Sequence, residues 1–126
     1  MEILKSPQEL QKFRELARGT IGFVPTMGAL HEGHVSLFRK AKKDSDICIA
    51  SIYVNPTQFD DPRDLNRYPS AAQNDKELMR ANGVDSAFFP TYDHLYPDDY
   101  AYQVAERIDS KELCGKTRQG HFTGVL

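Results

Sequence analysis

The run ICIASIYVN, residues 47–55, is nearly continuous in apolar residues and rich in β-branched ones. A strand with one wet face alternates polar and apolar, so an unbroken run predicts a strand covered on both faces, as in a parallel sheet. Parallel neighbours need long crossover connections, and the flanking sequence supplies them. Upstream, IGFVP (21–25), between Gly19 and Pro25, reads as a second buried strand. A helical pattern follows from about Gly33 to Lys43, with Val35, Phe38 and Ala41 inward and Leu37 beside them. Downstream, helix signals run from Ser70 to Ala81 and close at Asn82-Gly83, and VDSAFFP (84–90) reads as a third strand. Strand, helix, strand, helix, strand predicts an α/β fold with a doubly wound parallel sheet.

Before this core, Ser6-Pro7-Gln8-Glu9 is a capping box with proline at the first helical position, and Gly19 is placed to end the helix. Leu10, Phe13 and Ala17 give that helix one apolar stripe. NPTQFDDPRDLNRYP (55–69) is too rich in Pro, Asp and Asn for regular structure, so it reads as a long loop of the kind that carries function. After Thr91, YAYQVAE (100–106) reads as a strand and DSKELC as a short helix. The 126 residues are the size of one domain. The chain stops at GHFTGVL, where an apolar element begins, which suggests a domain incomplete at its C-terminus.

A formal net charge of -2, with no long basic run, argues against a general nucleic-acid binder. Arg39, Lys40, Lys42 and Lys43 fall on one predicted helix and read as a solvated face. No apolar stretch approaches the ~20 residues that cross a bilayer, and MEILKSPQEL has no secretory pattern. A cytoplasmic setting is expected. Cys48 and Cys114 make no metal or redox spacing, and Cys48, in an apolar run, reads as a buried small hydrophobe.

The chemistry concentrates in PTMGALHEGH, residues 25–34. A zinc-protease helix needs histidines four apart, whereas His31 and His34 are three apart and too few to complete a ligand set. His94 and His121 are distant in sequence. A phosphate cradle fits the context better, because the motif lies between a strand and a helix at the carboxyl end of the strand. Free N–H groups at a helix start attract anions. Gly28 and Gly33 allow close backbone approach, and the two imidazoles add donors.

H-x-G-H after a strand resembles the nucleotidylyltransferase superfamily, whose fold is Rossmann-like and whose members direct attack on the α-phosphate of ATP. VPTMGALHEGH (24–34), SIYVNPTQF (51–59), RYP (67–69) and RQGHFTGV (118–125), in that order, resemble the pantothenate synthetase family over essentially the whole chain. The resemblance implies a ligase that joins pantoate to β-alanine through a pantoyl-adenylate, with ATP as substrate and Mg²⁺, commonly as a homodimer. It places His31 and His34 on the ATP phosphates, with the backbone of Met27, Gly28, Ala29, Leu30, His31, Glu32, Gly33 and His34 lining the nucleotide site. It places Gln58, and with it Asn55, on the small substrates. Asp75 is a weak candidate for placing Mg²⁺, against a plain surface charge on its helix.

Arg118 and His121 are candidates for reaching phosphate or covering the site. The family often has proline where Gln119 stands, and some members have glutamate where Cys114 stands; both departures put a role for that loop in doubt. Family members continue with a Gly-Glu-Lys-Asp segment and a Met-Ser-Ser-Arg-Asn loop, so the resemblance covers an N-terminal part that is expected to be inactive alone. The competing readings are an adenylyltransferase for another small acid and a non-catalytic nucleotide-binding or assembly module.

Overall fold

A computed structural model of the chain describes residues 1–59, 63 and 72–126. The expected RYP segment, most of the expected loop and the Ser70 helix start lie outside the described residues. The chain divides into two compact units, Met1–Tyr53 with Pro69–Leu95, and Val54–Tyr68 with Tyr96–Leu126.

In the first unit, strands β1 (Glu2–Leu4), β2 (Ile21–Thr26), β3 (Ile47–Ile52) and β4 (Ser86–Phe88) form one parallel sheet in the order β1-β4-β3-β2. Helices α1 (Pro7–Leu16), α2 (Glu32–Asp44) and α3 (Ala72–Ala81) lie between successive strands, and a short α4 (Tyr92–Leu95) follows. The expected α/β parallel sheet is therefore present. From β2 the chain steps one way, to β3 and then β4, whereas α1 carries it from β1 at one edge to β2 at the other. Right-handed crossovers then place α1 on the face opposite α2 and α3. Side chains agree with that division. Val24, Cys48, Ala50 and Ala87 pack with Phe38 of α2 and Met79 of α3, while Leu4 and Ile47 line a groove with Phe13 and Leu16 of α1. Phe38 and Met79 are fully buried, each stabilising by about 1.5–3 kcal/mol relative to exposure.

The caps explain where the helices begin and end. Ser6 Oγ accepts from Glu9 N at 3.2 Å, and Glu9 Oε2 accepts from Lys5 N at 2.6 Å. Helix α1 ends at Leu16, three residues before Gly19, because Ala17 is already extended (ψ 134). Three of the four Lys and Arg residues of α2 have acidic partners: Arg39 with Glu32, Lys40 with Asp44 and Lys42 with Asp85. That is the solvated face expected from the sequence.

In this unit two expectations need correction. Among the described residues strand β2 lies at the sheet edge and is not buried on both faces; Phe23 is 55% exposed, and Pro25 is tolerated at an edge position. Leu37 points outward at 51% exposure. Strand β1 was not anticipated; its three residues pair with β4 and carry too short a pattern to read alone.

The second unit has little regular structure. A 3₁₀ turn spans Pro56–Gln58, two more span Asp109–Lys111 and Leu113–Lys116, and a last helix, α5, spans His121–Val125. The strand expected at YAYQVAE does not form; residues 101–106 lack regular structure, with Tyr102 87% and Val104 65% exposed. The expected DSKELC helix is replaced by the two 3₁₀ turns. Helix α5 lies against the Pro56–Gln58 turn so closely that a Cβ on Gly124 would sit 2.1 Å from the Thr57 carbonyl oxygen.

Candidate functional site

The PTMGALHEGH motif leaves the carboxyl end of β2 and enters α2 through a turn held on three sides. Thr26, buried at the strand end, donates its hydroxyl to Ser51 O at 2.8 Å and accepts Gly28 N at 3.2 Å. Gly28 (φ +83) and Ala29 (φ +52) are both left-handed. For a non-glycine residue this conformation costs roughly 1–3 kcal/mol unless neighbours fix it. The fixing group is Asp75 of α3, 3% exposed. One carboxylate oxygen accepts Ala29 N at 2.9 Å and the other accepts Leu30 N at 2.8 Å. Leu30 then packs its side chain against the core.

The two histidines form the cap of α2. His31 is the N-cap, and its Nδ1 accepts Gly33 N at 3.1 Å. His34 returns the bond, its Nδ1 accepting His31 N at 3.3 Å. This is a capping box in which imidazoles replace the usual hydroxyl and carboxylate. An accepting Nδ1 carries no proton, so in this arrangement the N–H of each neutral ring is at Nε2. The rings lie 4.2 Å apart, tilted by 59°. Burial first, and then the charge of His31, lowers the His34 pKa, with Asp75 pulling the other way.

These bonds change the picture of a backbone cradle. The N–H groups of Gly28, Ala29, Leu30, His31, Gly33 and His34 are already engaged within the protein. The donors the turn can present to an anion are chiefly the imidazole Nε2–H groups. Glu32 is paired with Arg39 outside the turn, and Met27 is half-buried within it. Asp75 is not the surface charge favoured above; it is buried and both its oxygens hold the turn. Among the described residues, no group of three His, Cys, Asp or Glu side chains is arranged to hold a metal ion. Asp75, the candidate carboxylate for Mg²⁺, has each of its oxygens accepting a backbone N–H of the turn.

In the second unit Asn55 is 7% exposed and spends its whole carboxamide internally. Its Oδ1 accepts Thr57 N at 3.1 Å and Thr57 Oγ1 at 2.8 Å, and its Nδ2 donates to Tyr96 Oη at 3.0 Å and Gly124 O at 3.2 Å. The Gln58 carbonyl meets His121 Nδ1 at 2.8 Å. The Gln58 carboxamide makes no hydrogen bond to a described residue, and it lines a cavity of about 270 Å³ with Asn55, Tyr96, Tyr100 and Thr123. His121 is thereby tied to the turn that carries Gln58. Cys114 is exposed and Cys48 buried, and burial pushes the Cys48 thiol up, helped by the Asp85 charge.

Sequence reasoning missed Thr26 and misread Asp75. A signal for Asp75 existed, since it lies four residues before Met79 and so on the same helix face.

Comparison with known proteins agrees with the motifs. The sequence pattern of the family described as pantoate-beta-alanine ligase matches residues 2–126. A pantothenate synthetase from Bdellovibrio bacteriovorus is 50% identical over 125 residues, covering 99% of this chain and 50% of that protein. One from Thermotoga petrophila is 47% identical over 128 residues, covering 99% of this chain and 46% of its own. The crystal structure of a pantoate-beta-alanine ligase from Francisella tularensis, complexed with beta-gamma ATP and beta-alanine, is similar with a TM-score of 0.94 at 41% identity. It covers 98% of this chain and 49% of that one. The chain spans about half the length of the curated relatives it matches. On the match over residues 2–126, the chain belongs to the pantoate–β-alanine ligase family.

Proposed function

We propose that the chain is the N-terminal, nucleotide-binding part of a cytoplasmic ligase that condenses pantoate with β-alanine at the expense of ATP. The observation that carries this reading is the reciprocal histidine cap at the strand-to-helix turn, in a chain that belongs to the family. In the first step the pantoate carboxylate attacks the α-phosphorus, and the bond to the leaving pyrophosphate breaks. A carboxylate with a pKa of roughly 4 is ionised at neutral pH, so the step needs no general base. It needs in-line placement and support for charge on the phosphates. Two imidazoles with Nε2–H groups supply directed donors, and no activated nucleophile is required. In the second step the amine of β-alanine attacks the acyl carbon and AMP leaves.

His31 and His34 are assigned to the triphosphate, with residues 27–34 as the wall of the nucleotide site. Gln58 is assigned to the small substrates, since a neutral amide donates and accepts without repelling a carboxylate. Asn55 serves by shaping the Gln58 turn. Mg²⁺ enters on the ATP phosphates, in keeping with its preference for phosphate and water oxygens. Residues 1–126 are read as one domain of a homodimeric enzyme. Its free thiols, Cys48 and Cys114, suit a reducing compartment.

The test is His34→Ala in the complete gene product. Pantoate- and ATP-dependent pyrophosphate release should fall roughly 10²–10³-fold, the scale for losing one oriented transition-state donor. An unchanged rate would remove His34 from the chemistry.

A further inference from the structure

Among the described residues, the buried carboxylate of Asp75 is in no ion pair. It is spent instead on two consecutive backbone N–H groups, Ala29 at 2.9 Å and Leu30 at 2.8 Å. Burying a charge is costly unless it is well hydrogen-bonded, and here the bonds go to a turn that is left-handed at two successive residues, Gly28 and Ala29. Packing is tight at the same point: a Cβ on Gly28 would sit 3.1 Å from Asp75 Oδ2 and 3.2 Å from Ile52 Cγ2. His31 follows Leu30 directly and is the N-cap of α2. The turn therefore determines where the capping imidazoles begin.

We propose that Asp75 is a positioning residue for the nucleotide site: its carboxylate holds the Gly28–Leu30 turn in its left-handed form and so sets where His31 and His34 present their Nε2–H groups. This rests on the functional reading above and differs from a metal-ligand role, in which added Mg²⁺ would offset a weakened carboxylate. The consequence for activity is orientation, and a displacement of about 1 Å in a catalytic group can cost about 10² in rate.

The experiment compares Asp75→Asn with the unaltered complete gene product, following pantoate-dependent pyrophosphate release across a Mg²⁺ series. Asparagine keeps the size of the side chain but turns an NH₂ against one of the two backbone donors. The expected result is a kcat about 100-fold lower, an unchanged KM for pantoate, and no recovery at high Mg²⁺. A folded variant with the original kcat, or one restored by added Mg²⁺, would overturn the proposal. Amide exchange gives a second reading: Ala29 and Leu30 N–H should be protected in the unaltered protein, and lack of protection there would also overturn it. If the unaltered protein releases no pyrophosphate with pantoate, the functional reading fails, and amide exchange decides the clamp by itself.

Discussion

His34 closes the cap of α2 through one ring nitrogen and, in the proposed function, faces ATP through the other. Nδ1 closes the cap on His31 N, which leaves the proton on Nε2, and burial followed by the His31 charge keeps the neutral form favoured. The sign of the linked stability follows. The unfolded chain takes up a proton on this ring as pH falls through about 6.5, while the folded state resists. Stability from this group is complete above that pH and declines as pH falls toward the lowered folded value. An NMR titration of the His34 ring should show a midpoint below that of free histidine; a raised midpoint would contradict the capped, neutral ring. The histidines as a pair were legible in the sequence because their spacing and flanking glycines sit at a strand-to-helix junction. Their tautomer was not, since it depends on which nitrogen faces which backbone donor. Asp75 was misread for a related reason: its neighbours Lys76 and Glu77 suggest a surface, and only the turn from 45 residues earlier explains its burial.

Elements were readable in proportion to how much of their environment lies within their own sequence. Strand β3 was clear because both its faces are apolar, and α1 and α2 because caps and stripes are local. β2 looked buried because its residues are apolar, but its place at the sheet edge is set by pairing with β3 alone, which no local pattern records. The NPTQ turn belongs to the same class. Its form depends on α5, whose Gly124 carbonyl accepts from Asn55 and whose lack of a side chain admits the Thr57 carbonyl. Gly124→Ala should therefore push α5 off the turn. We expect a rise in KM for pantoate with the ATP-binding step retained, measured by steady-state kinetics of the complete gene product. A variant with unchanged KM for pantoate would show that the turn does not need this contact.

At the scale of the whole molecule, the α/β class was legible because alternating strand and helix signals leave few topologies, and right-handed crossovers leave fewer. The second unit was not: its strand and helix expectations came from short apolar stretches that the folded chain leaves exposed, as with Tyr102 and Val104. In the proposed function the chain is the part of a ligase that receives ATP and starts adenylation; the curated relatives are about twice its length. The most direct test omits β-alanine, so that only the first step can run. Rapid-quench measurement on the complete gene product with ATP and pantoate should show a burst of pyrophosphate approaching one per site, absent without pantoate. Pyrophosphate formation indifferent to pantoate would contradict the account.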